Sequence, residues 1–408
     1  MPSKFFLFVM MFFALNCGKG SAQKAFKPVK SALKDKKYAD AVKAIQTLRK
    51  DSLWANHPQL TIFSIEAYKG LNDAENMNLY LKRSYDTLAF FSTTLQIVKE
   101  SMQLDSIERA QANNGGKRKN RKYVAENIQK YFPNLNAGAR FLYKKGKYAE
   151  AIPYFETILD LPHTPVGQET KLSIKAESTI AALQLICAFN AKAYDHVERY
   201  TSLALSDSIS RPFVLRCLAM KSEATSDTAA YRKWLETGLK GYPQQPFFFV
   251  HLADYHLSNN RYKVVMRLSE NMLEKDSTNY AALLARCNAS FHLSDYEQCI
   301  SSAEQLSVTD STNADAYYYK GASYAALSEQ ITMPDNINSA AYRKALQQRK
   351  SYALLAEPDL EKYRELMPKE QKRWAPLLYQ VYLVLNRGKK FAEIDNLMQG
   401  VKPQWPKQ

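Results

Sequence analysis

Apolar residues recur three and four positions apart along most of the chain, in stretches of roughly 12 to 16 residues. Leu252, Tyr255, His256 and Tyr262 lead in this way into Val265, Leu268, Met272 and Leu273. That spacing places apolar side chains on one face of an α-helix, and the two-residue alternation of a half-buried strand is rare. The pattern predicts an all-α chain. One stretch departs from it: residues 5–15 are an unbroken run of Phe, Leu, Val, Met and Ala behind Lys4, followed by the small residues Gly20, Ser21 and Ala22. A short apolar core after a basic residue, ending in small residues, reads as a secretory signal over residues 1–22, cleaved after Ala22. Eleven apolar residues, 5 to 15, are too few to span a bilayer, which takes about 20. A second reading places a lipid on Cys17, where the run ends, although Asn16 rather than a small residue precedes it. A third leaves the chain in the cytoplasm. On the first two readings the mature chain is exported, to the periplasm or the outer membrane, with no membrane-spanning segment left.

Beyond residue 22 the helical stretches repeat. Tyr148, Tyr194, Tyr262 and Tyr296 each begin a small pattern in which a small or β-branched residue follows three positions on. Tyr262 to Tyr296 is 34 residues, and Tyr194 to Tyr262 is 68, or twice 34. A fixed period of this length marks stacked helical hairpins. These residues resemble the tetratricopeptide repeat (TPR) family, whose 34-residue unit is two antiparallel helices. In that family a small residue at the eighth position of the first helix packs on another at the twentieth, in the second helix. The clearest copy runs over 132–165, with Ala139 and Ala151 at those places, Leu142 and Phe155 at large apolar ones, and Pro162 near its end. Ala219, Ala253, Cys287 and Gly321 continue the series. Weaker copies carry Tyr38 with Ala41 and Phe391 with Ile394, and the period breaks over 86–131 and 331–375.

The resemblance implies a right-handed superhelical solenoid of antiparallel helix pairs with irregular helical insertions. It divides the chain into a signal (1–22), degenerate repeats (23–131) with a basic loop at 113–122, a core array (132–330) and C-terminal helical repeats (331–408). The leader, ending Ser21-Ala22-Gln23, is also similar to those of exported proteins of Bacteroidota. Family positions on the inner face of the first helices fall on Arg140, Tyr143, Lys144, Arg216, Asp254, Asn288, His292 and Tyr318, which become the expected partner-binding residues. Some TPR proteins clamp a carboxylate with Lys and Asn; Asn288 fits, but Leu284 stands where the Lys belongs. Cys287 and Cys299 occupy the eighth and twentieth positions of one repeat, so the resemblance implies a pair close enough for a disulfide in an oxidising compartment.

Other candidate chemistry is thin. His251 and His256 are five apart and so diverge by about 140° around a helix, too far to share a metal. Gly321-Ala322-Ser323-Tyr324-Ala325 lacks the second glycine of a nucleophile elbow, and Gly321 falls at a helix-packing position. No phosphate-cradling glycine loop and no CxxC pair is present. No enzyme activity, cofactor or metal is expected.

Composition sharpens one feature. Glycine is 13 of 408 residues, about half of ordinary usage or less, which suits helices and excludes turn-rich β architectures. The net charge is +16; Lys4 and Lys19 leave with the signal, which holds no acid, so the mature chain carries 16 − 2 = +14. From Lys117 to Lys147 there are 10 cations, Lys117, Arg118, Lys119, Arg121 and Lys122 among them, against the single acid Glu126, a net of 10 − 1 = +9. A solvated face explains such a run, and so does attraction to an acidic protein, an anionic lipid head group or a polyanion. Nucleic acid is set aside by the export signal. The expectation is a non-catalytic scaffold of the bacterial envelope binding a protein or peptide, with a glycan- or lipid-binding accessory protein as the alternative.

Overall fold

The computed structural model describes residues 23–113, 115–172 and 175–398. The expected signal and Cys17 therefore lie outside the described residues. Among those described there is no β-strand. The chain divides at Cys217/Leu218 into two units.

The first unit opens with α1 (Lys27–Lys34), α2 (Tyr38–Leu48) and the short α3 (Ser52–Ala55). It continues with α4 (Pro58–Tyr80), α5 (Thr87–Asn113), α6 (Arg121–Lys144) and α7 (Tyr148–Asp160). The 3₁₀ turn Leu161–His163, α8 (Pro165–Glu169), α9 (Glu177–Asn190), the turn Tyr194–His196 and α10 (Thr201–Ala204) follow. Then comes α11 (Arg211–Ala224). The second unit holds α12 (Thr228–Gly241), α13 (Pro246–Ser258), α14 (Tyr262–Leu273), α15 (Tyr280–His292) and α16 (Tyr296–Thr309). It closes with α17 (Ala314–Gln330), α18 (Ala340–Leu366), α19 (Gln371–Leu385) and α20 (Gly388–Met398). First helices of successive pairs start at Pro246, Tyr280 and Ala314, and second helices at Thr228, Tyr262 and Tyr296, steps of 34 in each series.

The regular pairs reverse direction through one residue of left-handed backbone. Gly146, Lys192, Asn260 and Ser294 have φ of 69°, 57°, 55° and 59°. The next residue then donates its N–H five residues back, as from Lys147 to Leu142 (3.0 Å), Ala193 to Ala188 (2.9 Å), Arg261 to His256 (2.8 Å) and Asp295 to Ser290 (2.9 Å). This closes the open carbonyls of the first helix and turns the chain onto the second within three residues. The repeated aromatic follows at once and caps the pair. The Tyr148 ring meets Tyr143 at 6.0 Å, Tyr296 meets Phe291 at 5.7 Å, and Tyr262 stacks on His292 of the following helix at 4.6 Å.

The small positions let the paired helices approach. Ala139, Ala151, Ala219, Ala253, Cys287 and Cys299 are all buried. At Gly321 a Cβ would stand 2.7 Å from Cγ of Leu360 on α18, so only glycine fits without displacing that side chain. The period breaks where it does because α5 and α18 each run 27 residues, twice the usual second helix of 12 to 14. Residue 132 falls inside α6, whose first turn is eleven residues earlier at Arg121, and Pro133 sits within that helix.

Only one of those four reversals uses glycine, and a side chain in left-handed backbone costs about 1–2 kcal/mol. Ser294→Gly should raise the unfolding free energy by about 0.5–1 kcal/mol, whereas Gly146→Ala should lower it by about 1 kcal/mol. Urea titration of the two variants checks the opposed signs.

Candidate functional site

In the second unit α13, α15, α17 and α19 lie side by side, each touching the next first helix, while the second helices pack behind them. This row is the surface on which the repeat resemblance places partner-binding residues. Asp254 on α13 is exposed, Asn288 on α15 is half-buried, and His292 ends α15 with its ring stacked on Tyr262. Burial lowers the pKa of His292, so it presents a neutral imidazole at neutral pH. Tyr318 on α17 is already engaged. The Arg373 guanidinium lies 3.9 Å over its ring and donates to Asp315 at 3.2 Å, and Tyr363 packs 5.1 Å from it. Arg373 lies in the stretch where the period breaks, so the repeat pattern gave no reason to align it with Asp315 and Tyr318.

The first unit has a cationic counterpart on α6. Arg140 is exposed and bonds Asn136 at 3.3 Å, Tyr143 packs against Tyr148, and Lys144 is exposed at the helix end. Burial pushes the Tyr143 hydroxyl pKa up, leaving it a hydrogen-bond donor. Arg216 on α11 is exposed, its guanidinium 6.0 Å over the Phe213 ring.

The basic segment divides into two kinds of residue. Arg118 donates to Asp105 at 2.7 Å and to Glu169 at 2.9 Å; Arg109 reaches the same two acids at 2.6 and 2.8 Å; Arg121 reaches Glu169 at 3.0 Å. Glu108 accepts from the backbone and side chain of Asn120 at 3.0 and 2.7 Å. These contacts pin the loop before α6 onto α5 and α8. Both acids lie outside residues 117–147, so the count of +9 overstates the free charge. Lys117, Lys119 and Lys122 are the exposed remainder, Lys122 coming no nearer than 3.9 Å to Glu126.

Cys287 and Cys299 are free thiols in this structure, buried against one another between α15 and α16. Ser323 is buried inside α17 beside Gly321, in helical rather than elbow geometry. His251 accepts or donates at 3.1 Å with the Tyr231 hydroxyl, and His256 is buried. Among the described residues no group of three or more His, Cys, Asp or Glu is placed to hold a metal ion, and no helix is long and apolar enough to cross a membrane. A cleft of about 490 Å³ between the end of α18, the start of α19 and α20 is lined by Arg364, Gln371, Trp374 and Glu393. Its charges are already committed, Arg364 to Glu393 and to the Trp374 ring at 4.9 Å.

The 34-residue steps, left-handed reversals and small-residue contacts are a repeat architecture complete in themselves. The fold is that of a TPR-like helical-repeat protein. No family model matches the chain, and no curated protein does. Similar solved structures include the C-terminal part of a TPR repeat-containing protein from Cytophaga hutchinsonii, at 16% identity over 64% of this chain and 93% of that one, TM-score 0.42. The TPR domain of P58(IPK) is similar at 11% identity over 94% and 100%, TM-score 0.27. So is the TPR2AB domain of yeast Sti1 in complex with pHSP90, at 15% over 64% and 92%, TM-score 0.23.

The arginine cluster sets a pH dependence. The Arg118 hydrogen bond, with those of Arg109, holds the Glu169 carboxyl at about 2 against its ordinary 4.5. A depressed carboxylate contributes stability that is whole above 4.5 and lost as pH falls towards 2. Glu169→Gln should cost about 1–2 kcal/mol at pH 7, part of the shift being lost to solvent screening. It should also flatten the stability profile between those pH values, as acid titrations of urea midpoints in both proteins would show.

Proposed function

We propose that the protein is an exported, non-catalytic scaffold of the bacterial envelope that holds a protein or peptide against the row of first helices. The observation that carries this reading is the side-by-side packing of α13, α15, α17 and α19, with Asp254 and His292 exposed and Asn288 half-buried on those helices. Exposed side chains of mixed character on a rigid backing suit recognition of an extended segment better than chemistry. The Sti1 structure is a complex with pHSP90, a protein partner, which is consistent with this use of the fold. Export rests on the leader sequence. In the first unit, taken by itself, Lys117, Lys119 and Lys122, with Arg140 and Lys144, are exposed cations that would attract acidic groups.

A glycan- or lipid-binding accessory role is the second reading, favoured by the exposed lysines alone. The two are separated by photo-crosslinking in native envelope. A photoreactive residue at Asp254 or His292 should capture one protein band, while the same group at Ser301, exposed on α16, should not. Equal capture from all three positions, or none, argues against the scaffold. Neutralising Lys117, Lys119 and Lys122 together should leave stability unchanged and reduce the salt dependence of partner binding. Arg118→Gln should instead destabilise the fold modestly, because it removes one of the two guanidinium partners of buried Asp105 and one of the three around Glu169.

A further inference from the structure

Cys287 and Cys299 are two fully buried cysteines, one on each helix of the α15/α16 pair. Sγ of Cys287 lies 3.7 Å from the carbonyl oxygen of Cys299, and Sγ of Cys299 lies 3.4 Å from the carbonyl oxygen of Cys287. Each sulfur thus reaches across to the other residue's backbone. Bridging requires Cα atoms within about 7 Å, and the reciprocal sulfur-to-carbonyl contacts put the two residues in direct contact across the helix pair. The neighbouring pairs show that packing alone is satisfied by less. Ala139 with Ala151, and Ala253 with Val265, fill the same two positions without sulfur.

We propose that Cys287 and Cys299 close an intrachain disulfide that ties α15 to α16. The bond forms by thiol–disulfide exchange with a disulfide oxidant such as oxidised glutathione. One cysteine thiolate attacks a sulfur of the oxidant, giving a mixed disulfide and releasing one reduced thiol. The second cysteine then attacks the protein sulfur of that intermediate, forming the Cys287–Cys299 bond and releasing the other thiol. Two protons leave the cysteines, and the two electrons reduce the oxidant. Neither sulfur is open to solvent in the folded pair, and the neighbouring Cys299 sulfur and burial hold the Cys287 thiol protonated. Exchange therefore takes place before the pair closes, and the finished bond is shielded from reductants. The tie fixes the helix that carries Asn288 and His292.

The test refolds the full chain from urea in a glutathione redox buffer, alkylates it without reductant and maps its peptides by mass. The expected product joins the peptides of Cys287 and Cys299, about 2 mass units below their summed thiol forms, while Cys187 and Cys217 carry the alkyl label. Reductant added to the unfolded protein before refolding should lower its melting temperature by several degrees, and should not change that of Cys287→Ala/Cys299→Ala. That variant reproduces the Ala–Ala pair of α6 and α7, so it should fold. The same mapping is run on protein purified in its native state, in case refolding fails. Alkyl label on both Cys287 and Cys299 in either folded preparation, or linkage of either to Cys187 or Cys217, overturns the proposal.

Discussion

The structure depends on reversing a helix within three residues, many times over, in a chain with only 13 glycines among 408 residues. The device is a single left-handed residue whose successor returns its N–H to the carbonyl five positions back, as in Asp295 to Ser290. It satisfies carbonyls that would otherwise be open, and fixes the second helix antiparallel to the first. With Lys36, Lys192, Ser226 or Ser294 in that place, each reversal carries a backbone cost that the pair must offset elsewhere. It is offset by the close approach at the small positions, where Ala139 meets Ala151 and Gly321 receives Leu360. Turn and contact are therefore one design. The turn brings the helices together only if nothing large stands between them.

This explains what was legible in the sequence. The 34-residue step was readable because turn, aromatic and small residue recur as a set, each required by the others. The glycine of the turn was not readable, because only Gly146 among the regular reversals uses it. The long helices were not readable either: α5 and α18 keep helical spacing but place no small residue at a fixed interval, so the repeat disappears from the pattern while the hairpin persists. Nor does a period reveal where a helix begins. α6 starts at Arg121, well before the copy that its small residues suggest.

Charge shows the same limit in another form. Counting along the chain credits residues 117–147 with nine excess positive charges. The fold brings Asp105 and Glu169 to Arg118, and Glu169 to Arg121, from outside that window. Arg109 joins them, so the cluster is an internal clamp on the loop before α6 rather than a face for a partner. No local pattern marks such a pairing, because its members are separated by 51 residues in the case of Arg118 and Glu169. Salt bridges of this kind, part-buried and shared among three guanidinium groups, order the loop and contribute to stability together.

What remains exposed bears on the choice of partner. In the second unit the first helices carry an exposed acid, Asp254, a half-buried amide, Asn288, and an exposed imidazole, His292, whose pKa partial burial lowers. In the first unit they are Arg140 and Lys144, with Lys117, Lys119 and Lys122 beyond them. Tyr318, the aromatic expected beside Asn288 and His292, is occupied from within by Arg373, which also takes up Asp315. A uniform polyanion would find cations in the first unit but an unpaired carboxylate and neutral groups in the second. The differing character of the residues within the second unit suits the proposed protein segment better than a uniform lipid or polysaccharide surface.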